Sequence, residues 1–263
     1  MTEPIIINLW PDGSTNNPAD PNERPRIEIY QPTPPSAAPR PAVVVCPGGG
    51  YVGRAPHEGE PFGRFFAVHG LVGIVCHYRV SPHYFPAPMA DAARAMRMTR
   101  HLAPRLGADP RRVAIMGFSA GGHLACTTAT QPDLHHDPQD DLATRYSARP
   151  DRAILAYPVV SMLEGLCAEN LLGKSATKGQ WRQMSNELHV TEKNPPVFLF
   201  HTADDPIVPV SHSLRFAEAC LAKGVPVEMH IYESGRHGVG LATDLPKLAS
   251  WTGLLMDWLS GWE

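Results

Sequence analysis

Short, continuous apolar runs separated by helical patterns constrain the fold of this chain more than any other feature. The first forty residues are rich in Pro, Asn and Asp and contain one strand pattern, at 27–30. Six apolar runs follow, at residues 42–46, 71–76, 113–116, 153–157, 197–200 and 227–232. Five of the six lack polar alternation, which is typical of strands buried on both faces of a parallel sheet. The sequence therefore predicts a mostly parallel sheet.

Helical patterns lie between these runs, at residues 61–69, 88–106, 119–130, 213–223 and 248–258. Strands that alternate with helices of this length are typical of a doubly wound α/β sheet with helices on both faces. The longest connection spans residues 161–194, between two strands. Because long connections are uncommon unless they are functional, we expect one domain over residues 1–263 with a small cap at 161–194.

The composition argues against several classes of function and partner. Lys and Arg number 23 against 26 Asp and Glu, which leaves no basic excess for binding nucleic acid. No apolar run approaches the roughly 18 residues of a membrane span, and the N-terminus lacks a signal-peptide pattern. Five scattered cysteines without a CxxC pair predict reduced thiols and no structural zinc. We therefore expect a cytoplasmic protein without a membrane partner, metal or cofactor.

A Gly-Phe-Ser-Ala-Gly motif at 117–121 follows the strand pattern at 113–116 directly, and a small-residue helix pattern follows the motif. G-x-S-x-G between a strand and a helix is typical of the nucleophile elbow, a sharp turn that exposes a serine at the top of a sheet. Glycines are needed there because the neighbouring backbones come too close for a Cβ atom. Gly122 gives the helix further room to pack. The motif predicts that Ser119 is a nucleophile in a strained backbone conformation.

A serine nucleophile needs a histidine base and an acid that orients it, and in this fold they follow in the order Ser, Asp or Glu, His. Asp204 and Asp205 follow the run at 197–200, and Glu164 is a more remote third choice. His237 follows the last predicted strand between Gly235 and Gly238, which makes it the candidate base. The other histidines fit less well on position: His123, His201, His230 and the loop pattern His135-His136-Asp137.

The third requirement is an oxyanion hole of backbone N–H donors. One donor is expected from Ala120, directly after the nucleophile. The loop after the run at 42–46 reads Pro-Gly-Gly-Gly-Tyr, and its glycines let backbone N–H groups approach a substrate oxygen. A phosphate cradle is disfavoured because no Gly-Lys-Ser/Thr follows. The expected substrate contacts are Tyr51, Phe118 and Val208.

These motifs resemble the α/β-hydrolase superfamily and, within it, bacterial esterases similar to acetyl xylan and feruloyl esterases. The resemblance covers almost the whole chain, through residues 9–13, 45–51, 55–61, 78–82, 117–123, 171–173, 195–199, 205–209 and 237–238. It implies the α/β-hydrolase fold. It also implies that Ser119 is the nucleophile, Asp205 the acid and His237 the base, with oxyanion donors at Gly49, Gly50 and Ala120. His57, Glu58 and Glu60 match subgroup positions, where we expect a structural hydrogen-bonding role.

The resemblance further implies hydrolysis of short acyl esters, chiefly acetyl, on a small molecule or an oligosaccharide. Pro47 stands where lipase-like relatives have His, and Phe118 stands where the hormone-sensitive-lipase pattern has Asp, so that subgroup fits less well. Two alternatives stay open. One is a serine peptidase of the oligopeptidase type, although 263 residues leave no room for its propeller domain. The other is a non-catalytic binding protein on a hydrolase scaffold. A homo-oligomer is also left open.

Overall fold

The structure, a computed structural model, describes residues 3–34, 38–134 and 137–262. His135 and His136, for which we expect a loop, lie outside the described residues. Within these ranges eight strands form a sheet in the order β1-β2-β4-β3-β5-β6-β7-β8. The strands are β1 (Ile5–Asn8), β2 (Arg26–Tyr30), β3 (Arg40–Cys46), β4 (Val72–His77), β5 (Ala108–Phe118), β6 (Arg152–Ala156), β7 (Val197–Thr202) and β8 (Val227–Tyr232).

Strand β2 pairs antiparallel with both β1 and β4, whereas all pairs from β4 through β3 to β8 are parallel. The chain passes from β3 to β4 on one side and then returns to β5 on the other side of β3. Such a switch point opens a crevice at the carboxyl ends of β3 and β5, where α/β sheets bind their ligands. The fold thus places the glycine loop after β3 beside the serine turn after β5.

Helices cover both faces of the sheet, as the sequence predicted. They are α1 (Glu60–Val68), α2 (Ala87–Leu106), α3 (Ser119–Thr130), α4 (Ala168–Leu172), α5 (Lys178–Gln183), α6 (Ser211–Ala222) and α7 (Pro246–Ser260). Helices α2, α3 and α6 pack in one buried cluster, and α1 and α7 pack in the other. Along β3, Val44 belongs to the first cluster and Val43 and Val45 to the second. This alternation is the period of two that a strand imposes on its side chains.

The two edges of the sheet differ from its centre in a way the sequence shows only in part. Strand β1 was not predicted, because Ile5 and Ile6 stand in a Pro- and Asp-rich segment and are 43% and 58% exposed. At the other edge, β8 carries the one alternating pattern of the six runs, and its side chains are half-buried or exposed. Edge strands lack a neighbour on one side, so their sequences need not be continuously apolar.

No helix in the described part of the chain is both long enough and apolar enough to cross a membrane.

Candidate active site

Ser119 stands at the junction of β5 and α3, where the backbone turns with φ of +50°. This sharp turn takes the chain from β5 directly into α3, and the two motif glycines permit it. A Cβ atom on Gly117 would lie 2.1 Å from the carbonyl oxygen of Gly121. One on Gly121 would lie 2.2 Å from the carbonyl oxygen of Cys46. The expectations of strain at Ser119 and of crowding at the glycines are therefore confirmed.

The hydroxyl of Ser119 meets the imidazole of His237, which lies on the loop after β8. The distance from Ser119 Oγ to His237 Nε2 is 2.8 Å. On the other side of the ring, His237 Nδ1 lies 2.7 Å from Asp205 Oδ2. With the proton on Nδ1, the ring donates to the carboxylate, and Nε2 accepts from the serine. The fold thus brings together three side chains from three separate loops at the carboxyl ends of β5, β7 and β8.

Asp205 is buried and strongly held in its ionised form. Its Oδ1 accepts the backbone N–H groups of Ile207 and Val208, each at 2.9 Å. His201 Nε2 donates to the Val208 carbonyl at 2.9 Å and lies 3.6 Å from Asp205 Oδ2. Burial by itself raises the pKa of Asp205, but the two imidazoles and the two backbone N–H groups outweigh it. Together they hold the pKa well below its usual range.

The two other candidate acids lie elsewhere. Asp204 is exposed, and its Oδ1 accepts the backbone N–H of Gly235 at 2.8 Å. Asp204 therefore fastens the loop that carries His237 without contacting the imidazole. Glu164 pairs with His212 at 3.1 Å and with Arg215. Of the three carboxylates, Asp205 alone hydrogen-bonds His237 among the described residues.

The glycine loop after β3 lies against the serine turn. A Cβ atom on Gly48 would lie 3.0 Å from the Cβ atom of Ser119. Gly49 and Gly50 have φ of +126° and +63°, a conformation that L side chains rarely adopt. Ala120 is the second residue of α3, so its N–H is one of the helix donors without an intrahelical acceptor. The loop that carries two of the expected oxyanion donors thus lies against the turn that carries the third.

The three expected substrate contacts need correction, because all three side chains are buried. Tyr51 has no exposed surface, and its hydroxyl donates to His123 Nδ1 at 2.8 Å. Phe118 also has none, and its ring centroid lies 4.5 Å from that of Phe62 in the core. Val208 is 1% exposed. Phe118 faces inward because it belongs to a buried strand, and Val208 faces inward because of its place in the acid loop. None of the three side chains is therefore available to a substrate.

His123 lies beneath the serine turn, as its position one helical turn after Ser119 predicts. It is fully buried, and its Nε2 donates to the Met184 carbonyl at 2.7 Å. Burial lowers the pKa of His123 from 6.5 to about 4. The ring therefore stays neutral and joins the glycine loop, through Tyr51, to the segment 161–194.

Sequence reasoning missed three side chains around the site. His201 lies 3.6 Å from Asp205 Oδ2, although its place at the end of a strand, too early in the catalytic order, argued against a role as the base. Asn170 donates to the Gly50 carbonyl at 2.9 Å. Tyr157 donates to Glu58 at 2.8 Å, and its ring centroid lies 5.1 Å from that of His237. Only the apolar run ending at 157 pointed toward Tyr157, and no local signal pointed to the other two.

Chemically, the arrangement places a serine hydroxyl, an imidazole and a buried carboxylate in one chain of hydrogen bonds. Within the described ranges no three His, Cys, Asp or Glu side chains are grouped closely enough to hold a metal ion. A serine hydroxyl hydrogen-bonded to an imidazole is suited to proton transfer and nucleophilic attack.

Comparison with known proteins finds similar proteins over most of the chain. The family model BD-FAE matches residues 27–220. Among solved structures, an acetyl ester-xyloside bifunctional hydrolase from Caldicellulosiruptor lactoaceticus is 40% identical and superimposes with a TM-score of 0.90. The match covers 97% of this chain and 95% of that one.

Two curated relatives are longer than this chain. Endo-1,4-beta-xylanase B of Butyrivibrio fibrisolvens is 32% identical over 97% of this chain and 39% of its own length. Acetylxylan esterase of Xylanibacter ruminicola is 33% identical over 77% of this chain and 42% of its own length. The matched region thus spans about two fifths of each of these relatives.

Proposed function

The chain belongs to the BD-FAE family of α/β hydrolases, and from this premise we propose that it is a serine carboxylesterase for short acyl esters, chiefly acetyl. The observation that carries the proposal is the hydrogen-bond chain from Ser119 through His237 to Asp205, set beside the glycine loop. A hydroxyl, an imidazole and a buried carboxylate in this order constitute the constellation of serine hydrolases.

In the proposed acylation step, Ser119 Oγ attacks the ester carbonyl carbon while its proton passes to His237 Nε2. Asp205 keeps the imidazole in the tautomer that can accept this proton, and its charge stabilises the imidazolium. The oxyanion accepts hydrogen bonds from the N–H of Ala120 and from the loop of Gly49 and Gly50. Where such donors have been removed one at a time, kcat has fallen about 10²–10³-fold.

The tetrahedral intermediate then collapses. The ester C–O bond breaks, His237 returns its proton to the alcohol oxygen, and the acyl group remains on Ser119. In the second half, His237 takes a proton from water as the water oxygen attacks the acyl carbon. The carboxylic acid leaves, and the proton returns to Ser119. Every proton transfer in this scheme is made by the chain's own side chains.

The acyl and alcohol groups are proposed from the relatives and from the size of one segment. The names of the similar proteins refer to acetyl esters and xylan, which supports acetylated oligosaccharides as one substrate class. We propose that residues 161–194 form a small cap on a hydrolase domain spanning 1–263. Helices α4 and α5 within it have five and six residues. A small cap and a narrow acyl site reject added methylenes, each worth on the order of 1–3 kcal/mol.

The proposal is tested with p-nitrophenyl esters of increasing chain length, acetylated xylooligosaccharides and a peptide amide. We expect the rate to peak between acetyl and butyryl and to fall steeply beyond about six carbons. Ser119→Ala is the control. It should keep the fold by circular dichroism and lose at least about 10³-fold in kcat, since the nucleophile is gone.

Four results would contradict the proposal or part of it. Faster turnover of decanoate than of acetate, with interfacial activation, would indicate a lipase. Preference for the amide would indicate a peptidase. Binding without turnover, equal in wild type and Ser119→Ala, would indicate a non-catalytic protein. Labelling of a serine other than Ser119 by an organophosphonate would overturn the nucleophile assignment.

A further inference from the structure

Glu58 is a buried carboxylate beside the candidate active site that the ester hydrolysis scheme leaves without a role. It ends a 3₁₀ turn, Pro56–Glu58, and is only 2% exposed. In the described ranges no lysine or arginine forms an ion pair with it. The basic side chain beside it is His57, whose Nε2 lies 3.7 Å from Glu58 Oε1. Because a buried charge without a cation is costly, its two oxygens need hydrogen-bond donors.

One donor comes from the glycine loop, and the other is Tyr157, which follows β6 and in turn bonds the loop of His237. On one side, the backbone N–H of Gly48 donates to Glu58 Oε2 at 2.8 Å. On the other side, the Tyr157 hydroxyl donates to Glu58 Oε1 at 2.8 Å and itself accepts the N–H of Gly240 at 3.1 Å. Gly48 opens the glycine loop, and Gly240 follows His237 by three residues. One carboxylate thus links the expected oxyanion donors to the loop of the expected base.

The direction of the Tyr157 proton follows from its partners. The Gly240 N–H can only donate, so the phenol oxygen accepts there and its own proton points to Glu58. Burial raises the pKa of Tyr157 well above its usual value, which keeps that proton in place. His57 adds a second tie, because its Nε2 donates to the Gly238 carbonyl at 2.9 Å.

We propose that Glu58 is a positioning residue that fixes the glycine loop and the His237 loop at one separation, and this inference rests on the proposed esterase function. An oxyanion hole works only when its donors face the place where the charge develops. The base must at the same time face the serine and the leaving oxygen. A link that holds both loops in one geometry serves the transition state more than the ground state, so kcat should depend on it more than KM.

The link needs an ionised carboxylate. Burial raises the pKa of Glu58 above its usual value, although the hydrogen bonds from Tyr157 and Gly48 stabilise the charged form and limit the shift. A glutamine in its place has one acceptor oxygen and one NH₂ group. It can accept from Gly48 or from Tyr157, but it presents a donor to the other one. Glu58→Gln therefore conserves size and breaks one of the two ties.

The kinetic test compares Glu58→Gln with Glu60→Gln on p-nitrophenyl acetate. Glu60 lies two residues away, is exposed and pairs with Arg64. Glu60→Gln therefore removes the same charge without changing a contact of either loop. We expect about 10- to 100-fold loss of kcat with little change in KM for Glu58→Gln, as for a misplacement of about 1 Å. Glu60→Gln should stay within about twofold of wild type. Thermal unfolding checks that each variant is folded.

A second readout does not depend on ester turnover. Amide hydrogen exchange measured by NMR should show slow exchange at Gly48 and Gly240 in the wild type. Tyr157→Phe should release Gly240 and leave Gly48 protected, because Glu58 keeps its bond to Gly48. Glu58→Gln should increase exchange at one of the two loops, and Glu58→Asp should protect one of them at most, since the shorter side chain cannot span both.

The outcomes separate the two proposals. Normal kcat in Glu58→Gln, a change confined to KM, or unchanged exchange at both Gly48 and Gly240 would overturn the role of Glu58. If instead the wild type is no faster than Ser119→Ala on any ester, the proposed function fails. The exchange pattern then decides alone whether Glu58 links the loops. If Glu58→Gln does not fold, Tyr157→Phe provides the same kinetic test, with normal kcat counting against the proposal.

Discussion

The loops that bear Ser119, Asp205 and His237 and the segment 161–194 lie at the same end of the sheet but are built differently. The loops are held by hydrogen bonds from buried groups, with Glu58 and Tyr157 each 2% exposed. The segment 161–194 carries exposed positions along most of residues 163–183, and its helices have only five and six residues. The contacts that join it to the active-site end of the sheet include Asn170 to the glycine loop and Met184 to His123.

This difference in construction suggests that the two regions have different roles in catalysis. Groups that must be aligned to a fraction of an ångström sit where the backbone is fixed by buried polar contacts. Segments with fewer buried contacts open at lower free energy and change more easily. We therefore expect changes in the triad loops to alter the chemical step and changes in 161–194 to alter substrate binding.

The largest expected effect separates the two adjacent carboxylates of the acid loop. Asp205→Asn should lower kcat about 10⁴-fold, because an amide next to Nδ1 favours the wrong imidazole tautomer. Asp204→Asn should cost about tenfold or less, since Asp204 hydrogen-bonds the Gly235 N–H and not His237 within the described ranges. Steady-state kinetics on p-nitrophenyl acetate measures both. A loss of most of kcat in Asp204→Asn alone would reverse the assignment.

The next effect is on stability and concerns the tie between the two regions at His123. Its pKa is about 4 in the folded chain and near 6.5 when unfolded, so only the unfolded state gains a proton between these values. Stability should therefore fall as the pH falls from about 6.5 to 4, by about 3 kcal/mol from this group. The lowered pKa of Asp205 acts below this window.

The matched control is His123→Gln, which keeps a side-chain donor and acceptor and cannot titrate. Its free energy of unfolding from urea melts should depend less steeply on pH across the same window. His212, whose pKa burial also lowers, is present in both proteins and cancels in the comparison. Equal slopes in the two proteins would show that His123 does not carry this dependence.

The smallest effect concerns the contact between α4 and the glycine loop. Asn170→Ala removes the hydrogen bond to the Gly50 carbonyl, which is worth about 1 kcal/mol. We expect a change of about fivefold in kcat/KM, expressed mainly in KM and differing between acetyl and butyryl esters. Gln180→Ala is the control, because this side chain lies in exposed α5 and hydrogen-bonds Thr177 of the same segment. An effect on kcat alone, equal for both esters, would place Asn170 with the triad loops instead.

Local patterns in the sequence were sufficient for the sheet and for the serine turn. Continuous apolar runs predicted β3 through β7 because strands buried on both faces must be apolar at every position. Gly117 and Gly121 identified the turn because backbone atoms within about 2.2 Å of a Cβ position exclude every other residue type. His237 was found from its order after the last strand. Each of these signals lies within a few neighbouring residues.

The tertiary structure alone decided which side chains face the site. Asp204 and Asp205 are chemically the same in the sequence, and only the fold of their loop buries one and exposes the other. Tyr51, Phe118 and Val208 are adjacent to site residues, yet the core takes their side chains. Glu58 and Tyr157 are 99 residues apart in the chain and meet only because β3 and β6 lie on either side of β5. Side-chain direction and contacts between distant loops depend on long-range packing, which no local pattern encodes.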